Sequence, residues 1–271
     1  MYKRQGETGT GKELIASAVH YNSPNFKAPF ATVNCAAIPK DLIESELFGY
    51  EKGAFSGAGA FGKKGLIEES ANGTLFLDEV GDLSLEAQAK LLRFLELGEF
   101  YRVGGTKKMH ITTRVISATN KDLNKMIEDN LFRKDLYFRL GVIKVQVPSL
   151  NERPDDILPL AKYFLQEFSN KFGKKFSEIS SEAGDALLAH NWAGNVRELK
   201  NLMEGAVLTG KGPKLKLKEL GLKHKIQHRK LAEVKIESGL LPLPPEGFDL
   251  SERLQSFERH YIEQALSLIH I

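Results

Sequence analysis

The sequence predicts an α/β protein, a parallel-sheet core followed by a small all-helical module. Three observations carry that reading. Four short apolar or β-branched runs, residues 30–35, 74–78, 114–119 and 142–147, alternate with helical or turn-rich sequence, as strands joined by crossover helices do. A glycine-rich G-x-x-x-x-G-K segment, residues 6–12, opens onto the first helical pattern. After Pro148 the period becomes helical throughout.

In chain order, residues 12–20 come first, where Leu14, Ile15, Ala18 and Val19 share a helical face. The first strand run follows, then the second, which ends in Asp78 and Glu79. Residues 85–97 form a second helix, with Ala89, Leu92 and Leu95 recurring at helix spacing. The runs at 114–119 and 142–147 complete the predicted buried strands. Pro148, Pro154 and Pro159 punctuate the turn into an amphipathic helix over 158–172. Two further helices follow over 181–190, with Ser180 or Ser181 as N-cap, and 195–208. The expected organisation is a core over 1–150, a helical module over 151–212, a Lys- and Pro-rich linker over 213–249, and one helix over 250–271. A single helix cannot bury itself, so the last segment reads as the start of a further domain.

The 271 residues are 42% hydrophobic and 27% charged, which excludes a disordered or collagen-like chain and a disulfide scaffold. The one cysteine, Cys35, suits a reducing compartment and reads as a small packed residue, since no histidine partner can be argued for it. No apolar run approaches the roughly 20 residues that span a bilayer, and the first residues lack a signal-like apolar region. A cytoplasmic protein without membrane contact is expected. The net charge, 38 − 35 = +3, is uneven: residues 211–235 carry nine Lys/Arg and two acids, +7, leaving −4 elsewhere. That segment reads either as a solvated linker face or as an electrostatic contact with nucleic acid.

Chemistry concentrates in three places. Gly6, Glu7, Thr8, Gly9, Thr10, Gly11 and Lys12 form a phosphate loop: glycines let successive N–H groups point at phosphate oxygens, the helix start adds its positive end, and Lys12 supplies a mobile charge. Glu13 follows where the motif usually has Ser or Thr, so the customary hydroxyl ligand for Mg²⁺ is missing. Asp78 and Glu79, at the end of an apolar strand, suit Mg²⁺ orientation and activation of a water, respectively. Thr119 and Asn120 end another strand, where they either position that water or merely begin a turn. His224 and His228 are four apart but lack the further ligands of a zinc site.

These residues resemble the AAA+ domain of bacterial enhancer-binding proteins, the ATPases that activate sigma-54 RNA polymerase. The resemblance runs from about Gly6 to about Lys218. Its most specific part is residues 46–58, ELFGYEKGAFSGA, similar to the family's ELFGxExGAFTGA loop. It implies that Gly53, Ala54, Phe55, Ser56, Gly57 and Ala58 form a mobile, phenylalanine-tipped finger that touches the sigma factor, with Ser56 where Thr is usual. An exposed aromatic on a glycine loop is itself costly unless something binds it. The resemblance further implies that Asn34 is a switch that hydrogen-bonds Glu79. It implies that Arg133 and Arg139, in FRKDLYFRL, are the two candidate arginine fingers reaching a neighbour's ATP. Lys134 replaces the usual Glu there. Arg197, in WAGNVREL, would be a second sensor on the lid, with Ala193 replacing Pro. Residues 102–105, Arg-Val-Gly-Gly, match a shorter pore-side loop.

The implied protein is an ATP- and Mg²⁺-dependent ring, a hexamer, that opens promoters with sigma-54 polymerase. It would reach enhancer DNA through a C-terminal helix-turn-helix of which residues 250–271 are the first helix. The family's apolar strand before the phosphate loop is here Met1-Tyr2-Lys3-Arg4-Gln5, and adjacent cations suit a strand buried on both faces poorly. The sequence therefore reads as a piece of a longer regulator, with a truncated first strand, without the upstream adenine-binding residues, and weak in ATP binding. Two other readings stay open: an AAA+ remodeller with no transcriptional role, and a DNA-bound repressor or scaffold with a silent ATPase.

Overall fold

The computed structural model describes residues 2–5 as backbone, and residues 7–55 and 61–222 in full. Gly6, Ser56, Gly57 and Ala58, the greater part of the linker and the helix expected over 250–271 lie outside the described residues.

The elements run β1 (Tyr2–Gln5), α1 (Lys12–Tyr21), β2 (Phe30–Asn34), α2 (Lys40–Phe48), α3 (Leu66–Glu69), β3 (Thr74–Asp78), α4 (Leu85–Leu97), β4 (Glu99–Tyr101), β5 (Lys108–His110), β6 (Arg114–Thr119), α5 (Leu123–Glu128), α6 (Lys134–Leu140) and β7 (Ile143–Gln146). The helical part follows as α7 (Ile157–Phe172), β8 (Glu178–Ile179), α8 (Ser181–Ala189), α9 (Asn195–Thr209), β9 (Lys214–Leu215) and α10 (Leu217–Leu220). The principal sheet is wholly parallel in the order β2-β3-β6-β1-β7. All four expected strands are present, and β4 and β5 add an antiparallel hairpin that the sequence did not signal.

The strand pattern builds two cores. Along β3, Leu75 and Leu77 face one apolar cluster and Phe76 the other. Along β6, Val115 faces the first, and Ile116 and Ala118 the second. That alternation is the period of two that a pleated strand imposes. α4 packs on the first face. Ser84 caps its start, its Oγ accepting from the Ala87 N–H at 3.2 Å, and Gly98 ends it at φ 69°.

Four expectations are corrected. First, β1 is a strand between β6 and β7 despite its adjacent cations. Parallel pairing is made by backbone groups, which adjacent cations do not remove, and the neighbour β7, at the edge of the sheet, is exposed at all four positions. Second, β7 is therefore not the buried strand expected. Third, α1 buries Lys12, Ala16 and His20, leaving Leu14 74% exposed. A hydrogen bond between His20 Nδ1 and Thr74 Oγ1, 2.9 Å, fits that rotation. Likewise α4 buries Ala87, Leu91, Phe94 and Leu95, while Ala89 stays exposed. Fourth, the helical module reaches past residue 212. Leu215 and Leu220 join its core with Phe168, Leu187, Leu199 and Met203. Trp192 is its centre, fully buried, with Nε1 donating to the Leu187 carbonyl at 3.0 Å. Ser180 is the cap of α8, accepting from the Ala183 N–H at 3.3 Å.

Candidate nucleotide site

The strands of a parallel sheet end together, and here β3 and β6 end beside the phosphate loop. A cleft of about 720 Å³ opens there, lined among others by Lys12, Asn34, Asp78, Glu79, Asn120 and Arg197. The residues picked out of three separate motifs thus share one cleft. Gly9 and Gly11 take φ of 80° and 99°, conformations that only glycine adopts without strain, so the loop can turn into α1. Thr10 is buried, its Oγ1 donating to the Glu7 carbonyl at 2.9 Å. Lys12 is buried too. Its Nζ donates to the Glu7 carbonyl at 3.3 Å and lies 3.6 Å from Glu79 Oε1.

Glu79 sits at φ 53°, ψ 49°, a left-handed conformation uncommon for a long side chain and one that marks strained functional positions. Its Oε2 accepts the Asn120 N–H at 2.9 Å. The Asn120 side chain in turn donates to Thr8 Oγ1 at 2.8 Å, tying the end of β6 to the phosphate loop. Thr119 is buried and accepts the Lys121 N–H at 3.1 Å rather than facing the cleft.

Asn34 corrects another expectation. Its Nδ2 donates to Asp78 Oδ2 at 3.3 Å, not to Glu79, while its Oδ1 accepts the N–H groups of Ala36 and Ala37. The parallel register of β2 and β3, which pairs Asn34 with Asp78, accounts for this. Burial and then the Glu79 charge hold the Asp78 carboxyl above the usual carboxylate range. Its Oδ1 is buried without a hydrogen-bond partner. An orphaned carboxylate oxygen beside a phosphate loop fits a divalent cation that arrives with the phosphates. Among the described residues no cluster of three His, Cys, Asp or Glu side chains could hold a metal unaided. Cys35 is buried, and burial followed by Asp78 pushes its thiol up to about 12, so it is a packed residue and no nucleophile.

The helical module reaches over the loop. The Arg197 N–H donates to the Gly9 carbonyl at 3.3 Å, and its side chain lines the cleft. Asn195 and Arg153, which the sequence did not single out, also touch the loop. Asn195 Nδ2 donates to Glu7 Oε2 at 2.9 Å and to the Thr8 carbonyl at 3.2 Å. Arg153 Nη2 donates to the Thr10 carbonyl at 3.0 Å. No composition signal marks Arg153, and Asn195 could have been noticed only as the residue before Val196 in the lid motif. Glu13 lines the mouth of the cleft.

The two candidate fingers point elsewhere within the chain. Arg133 forks onto Asp135, with Nε–Oδ1 3.1 Å and Nη2–Oδ2 2.8 Å. Arg139 donates from Nε and Nη2 to the Leu95 carbonyl at 3.1 and 2.7 Å. Neither lines the chain's own cleft. Gln88, buried in α4, fixes the start of this segment by accepting the Arg133 N–H at 2.9 Å.

The finger loop is described up to Phe55. Gly53 lies at φ 74°, a Cβ there would meet nothing within 4 Å among the described residues, and Ala54 packs on Gly104. Phe55 is 39% exposed and meets the Tyr50 ring edge-on at 5.1 Å, where a projecting tip was expected. Such a contact holds about 1 kcal/mol, a weak latch. The foot of the loop is firmer. Arg102 forks onto Glu68 at 2.8 Å through two nitrogens and reaches Glu51 at 3.2 Å. Tyr50 bridges to both Lys63 and Val103.

A phosphate loop, an acidic strand end and a helical lid closing on the loop, all on a parallel sheet, define a AAA+ ATPase. The chain belongs to the sigma-54 interaction domain family, which it matches over residues 4–146, and it continues into a match to an AAA+ ATPase lid domain over residues 151–236. It is 46% identical over 265 residues to the nitrogen fixation protein VnfA of Azotobacter vinelandii, covering 98% of this chain and 48% of that protein. It is 50% identical over 208 residues to the regulatory protein AtoC of Escherichia coli K12, covering 77% of this chain and 45% of that protein. Among solved structures, NtrX from Brucella abortus in complex with ATP superposes with TM-score 0.75 at 36% identity, covering 89% of this chain and 54% of that one. The Hsp104 structure, at 19% identity and TM-score 0.55, shares the fold alone. The chain spans about half or less of the length of the first curated relatives it matches.

Proposed function

We propose that this chain is the motor of a transcriptional activator, which hydrolyses ATP to remodel the closed complex of sigma-54 RNA polymerase and so open promoters. The observation that carries the reading is the convergence of Lys12, Asp78 and Glu79 in one cleft. The active unit is a homo-oligomeric ring, a hexamer, bound to enhancer DNA through a helix-turn-helix beyond residue 250, and working in the cytoplasm with the polymerase.

The loop backbone and Lys12 bind the triphosphate. Asp78 would hold the Mg²⁺ that accompanies it, and that ion would neutralise charge on the transferring phosphoryl group. Glu79 takes the proton of the attacking water, and for this its carboxylate must leave Lys12 for the water. Asn34 steadies Asp78, and Asn120 orients Glu79. Arg197 senses the nucleotide from the lid. Arg133 or Arg139 is donated to the neighbouring subunit's phosphates once it leaves its present acceptor, Asp135 or the Leu95 carbonyl. Gly53, Ala54, Phe55, Ser56, Gly57 and Ala58 contact the sigma factor. The weak Tyr50 latch and the firm Arg102 foot suit a tip that lifts while its base stays fixed.

Phosphate release tests the reading. ATP-dependent release is expected from the chain and should vanish in Lys12→Ala together with nucleotide binding. Unchanged affinity in Lys12→Ala would remove the site assignment.

A further inference from the structure

We infer that Asn195 is a positioning residue through which the lid sets the shape of the phosphate-binding loop before any nucleotide arrives. The inference deepens the nucleotide-site reading and rests on it.

Three successive loop carbonyls are each held by a donor from the helical module. Thr8 O accepts Asn195 Nδ2, Gly9 O accepts the Arg197 N–H, and Thr10 O accepts Arg153 Nη2. A trans peptide is planar, with its C=O and the next N–H pointing in opposite directions. Fixing those carbonyls on the lid therefore turns the N–H groups of Gly9, Thr10 and Gly11 away from it, which is the arrangement an anion-binding nest needs. The lid thus supplies a preorganisation that the loop sequence alone does not specify.

Asn195 is the pivot of this brace. It is fully buried, at φ 54°, in a left-handed conformation that asparagine tolerates better than most residues. Its Oδ1 accepts the Leu150 N–H at 2.7 Å, which anchors the start of the helical module. Its Nδ2 spans Glu7 Oε2 and Thr8 O. One amide thereby joins three chain segments, and both of its ends are used. Close approach keeps the brace short: a Cβ on Gly9 would lie 2.5 Å from the Gly194 carbonyl. By linkage, a lid that shapes the loop must itself be steadied when the loop binds phosphate.

The chemistry offers a swap that a merely structural role would not reward. Asn195→Asp keeps the acceptor for Leu150 but replaces the donor with a carboxylate facing Glu7. ATP and ADP affinity should each fall about tenfold or more in calorimetric or fluorescent-nucleotide titrations. Adding Glu7→Gln supplies a side-chain donor from the other side, and the double variant should recover affinity about threefold or more over Asn195→Asp. Wild-type affinity in Asn195→Asp, or no recovery in the double variant, would overturn the inference. Should Asn195→Asp not fold, Glu7→Ala carries the test, because Glu7 is exposed. It should weaken ATP by about threefold, and unchanged affinity would overturn the proposal. A wild-type chain that binds no nucleotide would sink the site reading with it, whereas wild-type binding matched by all three variants would sink this inference alone.

Discussion

Replacing Glu79 by Gln should tighten ATP binding while ending turnover. Lys12 Nζ lies 3.6 Å from Glu79 Oε1, with side chains 7% and 12% exposed. At an effective dielectric of about 20, the Coulomb attraction at that separation is about 4–5 kcal/mol. Most of it is offset by the desolvation of the two charges, leaving about 1 kcal/mol of net pairing. An incoming phosphate must draw Lys12 away from Glu79, so ATP binds against that pairing. Glutamine keeps the shape and can still accept the Asn120 N–H, but it releases Lys12. Affinity should therefore rise about fivefold. The same change removes the proton acceptor, so phosphate release should fall by at least about a hundredfold. A fluorescent-ATP titration paired with a phosphate-release assay reads both. Tight binding with normal turnover would dismiss Glu79 as the base. Loss of turnover with unchanged or weaker affinity would refute the competition between Glu79 and phosphate for Lys12.

Asp78→Asn should stabilise the nucleotide-free chain at neutral pH by about 2 °C in Tm and abolish any Mg²⁺ dependence of ATP binding. Burial raises the Asp78 carboxyl on folding, so its contribution is most favourable below its unfolded pKa and is lost as pH rises through the higher folded one. A melting series across that window should show a smaller loss for Asn, and equal slopes would contradict the assignment. Trp192→Ala should cost about 3–5 kcal/mol and lower Tm by about 10 °C in calorimetry, because it empties the centre of the lid core and orphans the Leu187 carbonyl. A change under about 1 kcal/mol would mean that the lid core is not organised around it. Phe55→Ala should leave ATP hydrolysis intact while abolishing retention of sigma-54 in a pull-down with a transition-state mimic, and retained binding would break the loop assignment.

Patterns local in the chain were readable before folding was considered. β3 and β6 announced themselves by continuous apolar runs, α4 by apolar residues recurring at helix spacing, and the nucleotide site by a loop spacing and an acidic strand end. What depended on neighbours was not. The buried faces of α1 and α4 are set by what lies beneath them: His20 meets a Thr74 hydroxyl on the inner side while Leu14 faces out. β1 could not be read from its own residues, because its place between β6 and β7 is a matter of sheet order. Asn34 belonged to the right cleft, yet its partner was fixed by strand register. Asn195 and Arg153 act on residues more than 140 positions away, and no local period records such a contact.

The sole cysteine has a practical use for laboratory design. Cys35 is 3% exposed and its thiol is pushed up to about 12, so almost none of it is thiolate at neutral pH. A reporter sulfhydryl engineered onto the finger loop would take up dye against a dark background. Fluorescence could then follow that tip through each turnover without first mutating the native residue.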